Sequence, residues 1–152
     1  MATAYVGMGS NLGDRARSLF EGVRLLLEAV PARARLSPLY ETDPVGYVDQ
    51  PRFLNGVLEL RGDLPEPHDL LDLCLGIEAR LGRQRTISKG PRTLDLDLLL
   101  WEERRVDDAR LTLPHPRLHL RRFVLEPLAD LAPDLRHPVL GPTIRELLER
   151  VG

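Results

Sequence analysis

A single α+β domain is what this sequence predicts, and three observations predict it. Short apolar stretches at Thr3–Met8, Ala34–Tyr40 and Phe53–Arg61, and the leucine-rich end of Gly82–Leu100, read as strands. Two longer stretches carry apolar residues at helical spacing. The order of these elements is β-α-β-β-α-β, followed by a C-terminal third that is mostly irregular and helical. That order favours a ferredoxin-like α+β sandwich, one sheet face covered by helices, with an extra C-terminal strand and helices. At 152 residues the chain is long enough to bury a substantial core, and 1–152 is expected to form one catalytic domain.

Each element has its own signal. After the first strand, Gly9-Ser10-Asn11-Leu12-Gly13-Asp14 is turn chemistry, and Asp14 is placed to cap a helix. Leu19, Val23, Leu26, Leu27 and Val30 recur at helical spacing in that helix, and Pro31 ends it. Gly7, Gly9 and Gly13 resemble a dinucleotide fingerprint only superficially, because the third glycine would have to fall at Leu12. Thr42–Arg52 is a loop of 11 residues, and long loops in compact domains are often functional. In the third strand Phe53, Asn55, Val57 and Glu59 share one face, opposite Leu54, Gly56, Leu58 and Leu60. An aromatic beside an amide can stack on and hydrogen-bond a flat heterocycle; an aromatic on a sheet next to a polar strand start is the plainer reading.

Pro67 suits the first turn of the second helix, whose stripe is Leu70, Leu71, Cys74, Ile77 and Leu81, with Gly82 as the stop. Cys74 therefore reads as packing. Glu78 is electrostatically misplaced near a helix C-terminus, which calls for a partner or a ligand. Further on, a short strand is expected near Arg105-Val106, and Arg110–Pro116 is extended and proline-bounded, exposing His115. Thr143 and Glu146 make a capping box for a last helix over Ile144–Val151.

Composition narrows the class. Hydrophobic content of 43% and charged content of 29% are ordinary for a globular chain. A net charge of −2 supplies no global field for nucleic acid, so any cationic surface is local. Cys74 is the one cysteine, which excludes an internal disulfide framework and fits a reducing compartment. Neither a leader-type h-region nor an apolar run of about 18 residues is present, so a cytoplasmic protein with no membrane partner is expected. His68, His115, His119 and His137 form no ligand spacing, which argues against a zinc site.

Chemistry concentrates in Gly82–Leu100, GRQRTISKGPRTLDLDLLL. Arg83, Arg85, Lys89 and Arg92 lie on a Gly/Pro-marked loop, and Lys89 is the single lysine among 21 Lys and Arg. Asp95 and Asp97 then alternate with leucines, so both carboxylates leave one face of a strand. Residues two apart on a strand sit roughly 6–7 Å apart, where two unit charges repel by roughly 2–3 kcal/mol at an effective dielectric near 20. A cation, a shared proton or the arginines must compensate. Carboxylates hold Mg²⁺ and arginine forks bind phosphate oxygens, so divalent metal and polyphosphate fit the layout.

The block RxRxxxxGPRTLDLDLLL, with YETDPVG…DQPRFLN upstream, RLTLPHPRLHLRRFVLEPL downstream and AYVGMGSNLGD at the N-terminus, closely resembles the 6-hydroxymethyl-7,8-dihydropterin pyrophosphokinases over nearly the whole chain. The resemblance implies transfer of the terminal pyrophosphoryl group of ATP to the pterin hydroxymethyl group, leaving AMP, as a step of folate biosynthesis on a ferredoxin-like fold. It implies two Mg²⁺ ions on Asp95 and Asp97. It matches Arg83 and Arg92 to phosphate-engaging arginines, and Glu78, Arg85, Arg110, Thr112 and His115 to further ATP contacts. For the pterin it matches Thr42, Asn55 and the Val45 backbone to hydrogen-bonding positions and Phe53 with Phe123 to a ring sandwich. Arg121 matches a basic residue close to the reacting groups. Gly9–Asp14, Asp43–Arg52 and Gly82–Pro91 correspond to loops that close over the substrates.

The chain departs from many members at Lys89, where an aromatic is common before the GPR triplet, and at Thr86 and Leu75. ATP and the pterin are the expected partners, with no nucleic acid, and a monomer is expected with a dimer left open. Two other classes compete. A two-metal phosphohydrolase or nucleotidyltransferase could use the same Asp pair, but leaves Phe53 and Asn55 unexplained. An RNA-binding ferredoxin-like module would stack bases on strand aromatics, yet aromatics are only 5% of the chain and the Asp pair would repel phosphate.

Overall fold

Five strands make one sheet because their period-2 faces each find a different core. The computed structural model describes residues 1–44, 49–82 and 93–151, so Val45, Arg83, Arg85, Thr86, Lys89 and Arg92 lie outside the described residues. The elements run β1 (Ala2–Ser10), α1 (Arg15–Ala29), β2 (Ala32–Leu36), β3 (Tyr40–Thr42), β4 (Phe53–Gly62), α2 (Pro67–Arg80) and β5 (Asp95–Trp101). There follow β6 (Val106–Asp107), β7 (Thr112–Leu113), a 3-10 turn at Leu118–Leu120, α3 (Arg122–Leu131) and α4 (Ile144–Val151). The main sheet has the order β2-β4-β1-β5, with β3 also on β4, and every pairing in it is antiparallel. This is the ferredoxin-like arrangement expected from the element order.

The stretch expected as one strand over Ala34–Tyr40 is two, β2 and β3, both lying along the outer edge of β4. Pro38 has no N–H to continue a ladder. Ser37 replaces the strand at the break: its hydroxyl accepts the Val57 N–H at 2.9 Å and its own N–H donates to the Val57 carbonyl. The break re-aims β3 so that Thr42 arrives opposite Phe53.

One face of the sheet packs on α1 and α2. Ala4, Val6 and Met8 of β1, Leu58 and Leu60 of β4, and Leu96 and Leu98 of β5 meet Leu19 and Leu26 of α1 and Leu70, Cys74 and Ile77 of α2. Cys74 is a core residue, as its helical position predicted, and burial pushes its thiol up to about 12. Asp14 caps α1 by accepting the Arg17 N–H at 3.2 Å. The capping box of α4 closes in both directions, Thr143 N–H to Glu146 at 2.9 Å and Glu146 N–H to Thr143 at 3.2 Å.

The extra C-terminal helices expected from the sequence pack on the other face. Leu118, Val124, Leu125, Leu128, Ile144 and Leu147 from the 3-10 turn, α3 and α4 bury Tyr5, Val57 and Leu99. A polar knot around the buried Glu59 fixes this layer: Tyr5 donates to Glu59 at 2.9 Å, and the exposed Arg35 binds both Glu59 oxygens and the Leu131 carbonyl at the end of α3. Tyr40 of β3 donates to Asp130 of α3. The cover stops there, and the remainder of this face, where β1, β4 and β5 carry Gly7, Gly9, Asn55, Asp95 and Asp97, lines a cleft. Among the described residues no helix is long and apolar enough to cross a membrane.

Candidate active site

The cleft is built by strand register. Gly9 of β1 lies between Asn55 of β4 and Asp95 of β5, and Gly7 lies between Val57 and Asp97. Adjacent strands are about 4.8 Å apart, so an amide and a carboxylate face each other across about 10 Å with no side chain between them. Asp95 and Asp97 share one face, as their spacing predicted, and both line the cleft. Thr42, Asp43, Phe53, Arg121, Phe123 and Val124 complete its walls, around about 740 Å³ of space including the open mouth.

The platform end is preorganised. The Asn55 amide, 7% exposed, donates to the Thr42 hydroxyl, so β3 and β4 jointly orient it. Phe53 comes from the start of β4 and Phe123 from the first turn of α3, and the Arg121 guanidinium sits 5.5 Å from the Phe123 ring centre. Arg121 therefore has its charge held over an aromatic face in the same cleft as the two aspartates.

Thr112 and His115 line a neighbouring groove with Pro116, His119 and His137. His115 is tied to the sheet by its backbone N–H, which donates to the Leu99 carbonyl at 2.9 Å. Its Nδ1 accepts the Arg117 N–H at 3.1 Å, which leaves the ring proton on Nε2. Burial first, and then the charges of Arg121 and Arg117, push His115 down to about 4, against the pull of Asp95. The imidazole is thus a neutral donor near pH 7. Arg110 is paired with Asp72 of α2.

Glu78 has the partner that its position demanded. It is 2% exposed, and its carboxylate accepts the Leu96 N–H at 2.7 Å. β5 is the edge of the main sheet, so this hydrogen bond supports the backbone between the two aspartates.

Of the positions singled out in the sequence, Thr42, Phe53, Asn55, Asp95, Asp97, Arg121 and Phe123 meet in one cleft. Thr112 and His115 lie in the adjoining groove, Glu78 behind β5 and Arg110 against α2. Val45, Arg83, Arg85 and Arg92 fall outside the described residues. Sequence reasoning missed Gly7 and Gly9 as the cleft floor. It also missed Asn11, 2% exposed, whose amide donates to the Gln50 side chain and the Pro51 carbonyl, both at 2.9 Å, joining the end of β1 to the long loop. The signal was available in composition, since Asn11 and Asn55 are the only asparagines in the chain.

A pair of hard oxygen donors beside an aromatic and amide platform suits an enzyme that moves a phosphoryl-type group onto a small flat acceptor, and this is the class that fold and site define. Residues 5–133 match the family model described as 7,8-dihydro-6-hydroxymethylpterin-pyrophosphokinase (HPPK), and the chain belongs to that family. It is 49% identical over 146 residues to the 2-amino-4-hydroxy-6-hydroxymethyldihydropteridine pyrophosphokinase of Pseudomonas aeruginosa, covering 95% of this chain and 88% of that one. The protein of the same name from Methylorubrum extorquens is 45% identical over 152 residues, covering 99% and 94%. The chain also matches the folic acid synthesis protein fol1 of Schizosaccharomyces pombe at 42% identity, where it spans only 20% of that longer protein. In structure it resembles the HPPK-DHPS of Plasmodium falciparum with a TM-score of 0.75 at 16% identity, over 98% of this chain and 45% of that one, a likeness of fold.

Proposed function

We propose that this chain transfers the terminal pyrophosphoryl group of ATP to the hydroxymethyl group of 6-hydroxymethyl-7,8-dihydropterin, releasing AMP, as a step of folate biosynthesis. One observation carries this reading beyond family membership: the Asp95/Asp97 pair and the Asn55/Phe53/Phe123 platform open into the same cleft, across the bare floor of Gly7 and Gly9. A nucleotide's phosphates and a flat acceptor can therefore meet there. In the transfer, the hydroxymethyl oxygen attacks the β-phosphorus with loss of its proton, the bond from that phosphorus to the bridging oxygen of the α-phosphate breaks, and AMP leaves.

The donor set fits magnesium. Asp95 and Asp97 offer the hard oxygens that magnesium takes, and phosphate oxygens and water are the further ligands it would draw on. Two Mg²⁺ held there would neutralise phosphate charge and align the displacement. Phe53 and Phe123 grip the ring faces while Asn55, Thr42 and the Val45 backbone read its polar edge. Arg121 and the neutral His115 donate to phosphate oxygens, and Arg83, Arg85 and Arg92 add cationic forks from the GPR-containing loop. Thr112, Arg110 and Glu78 serve the nucleotide side, Glu78 by holding β5. The cleft is assembled within one chain, so a monomer suffices to complete it and a dimer stays open, and a cytoplasmic setting suits the chain's one buried cysteine.

The test is product analysis with ATP, Mg²⁺ and 6-hydroxymethyl-7,8-dihydropterin. Pterin-dependent AMP with a pyrophosphorylated pterin is the expected result. ADP or AMP formed equally without pterin would overturn the reading in favour of a hydrolase.

A further inference from the structure

Gly9 has no backbone reason to be glycine. It lies in regular strand, paired with Asn55 on one side and Asp95 on the other, and is not among the residues with positive φ. Glycine inside a strand costs stability and leaves nothing to pack. The reason is therefore space. A Cβ built on Gly9 would stand 2.8 Å from the Asn55 Oδ1 and 3.6 Å from the Phe53 ring. The first distance is not tolerated, and the atom that must give way is the end of a side chain. Asn55 yields by rotating away, and rotation breaks its hydrogen bond to Thr42. Gly7, one step along the same face, differs: the atoms nearest its Cβ would be Leu99 carbons at 3.4–3.6 Å, an ordinary contact.

We propose that Gly9 is a specificity-determining positioning residue, whose missing side chain lets the Asn55 amide stand against Thr42 in the orientation that reads the edge of the flat acceptor. This rests on the pterin reading above. Gly9 acts through Asn55, so its substitution should be felt by the acceptor more than by the nucleotide.

The experiment is steady-state kinetics and direct pterin titration of wild type, Gly9→Ala, Asn55→Ala and the double variant, with Gly76→Ala as a surface glycine whose Cβ meets nothing within 4 Å. Gly9→Ala should raise the pterin KM and Kd about tenfold or more, the range for one lost polar contact to a bound ligand. The ATP KM should change less than about twofold, and the thermal midpoint should stay within about 3 °C because a side chain, not the backbone, gives way. In the Asn55→Ala background the same substitution should add less than about twofold, since the atom it would strike is gone. That double variant also folds if Gly9→Ala alone does not, and it then isolates the Asn55 contact as the cause. Unchanged pterin affinity in Gly9→Ala, or a full penalty persisting without Asn55, overturns the proposal. A wild type that neither binds nor turns over pterin overturns the functional reading first, and this proposal with it.

Discussion

The two faces of the sheet are made from the same strands and put to different uses. On the α1/α2 side, β1, β4 and β5 present Ala4, Val6, Met8, Leu58, Leu60, Leu96 and Leu98 to a dry core. On the other side the same strands present Tyr5, Val57 and Leu99 to α3 and α4, and then Gly7, Gly9, Asn55, Asp95 and Asp97 to a cleft. One face spends every position on packing, while the other stops packing halfway. Alternation makes this possible, because a strand residue's neighbours in sequence belong to the opposite face. Asp95 and Asp97 can be held rigidly since Leu94, Leu96 and Leu98 on either side of them are locked in the core. Stability and chemistry thus divide by face more than by region of the chain.

Substitutions can break or sharpen that division. The largest effect should come from Asp95→Ala, which removes half of the hard-oxygen pair: pterin-dependent AMP formation should fall about a thousandfold or more, about 4 kcal/mol in kcat/KM, without unfolding. Leu58→Ala, from the fully buried opposite face, should lower the unfolding free energy by about 3 kcal/mol in urea titration while the folded fraction keeps its kcat. Asn55→Ala should cost about tenfold in pterin KM and little in ATP KM. An Asn55 substitution that raised the ATP KM more would join the two ends of the cleft in a way the register does not suggest.

The smallest effects on turnover accompany the pH dependence of stability. The Arg35 guanidinium, bonded directly to Glu59, holds that carboxyl below its ordinary value. A lowered carboxyl pKa stabilises the fold above the unfolded value of about 4.3, and this stabilisation is lost as pH falls through the folded value. Glu59→Gln should therefore flatten the acid limb of stability measured between pH 6 and 3. His115, pushed down to about 4, is neutral when folded and charges near 6.5 when unfolded. Its contribution is complete above about 6.5 and falls away as pH drops toward about 4, so His115→Gln should remove that part of the acid slope in this window.

Much of this was legible in the sequence, for identifiable reasons. The faces of β4 and β5 follow from period 2, and α1, α2 and α4 announce themselves by cap, proline and stripe. The split of β2 from β3 depends on Ser37 finding Val57, a tertiary choice that Pro38 permits and does not dictate. α3 was hidden because it is ten residues long, opens on an arginine and contains Pro127. The cleft's aspartates and Asn55 were legible as chemistry-bearing types in strands. Gly9 was not, because its meaning lies in the atom across the sheet, and its sequence spacing suggests only an imperfect nucleotide fingerprint.

One sample of Asp97→Asn, measured for both urea unfolding and pterin-dependent AMP release, tests the separation of the faces most directly. We expect an unfolding free energy within about 1 kcal/mol of wild type, since a half-exposed carboxylate beside Asp95 is exchanged for a neutral isostere, together with loss of AMP formation. AMP release at close to the wild-type rate, from protein that is equally folded, would contradict the assignment of the cleft as the site of transfer.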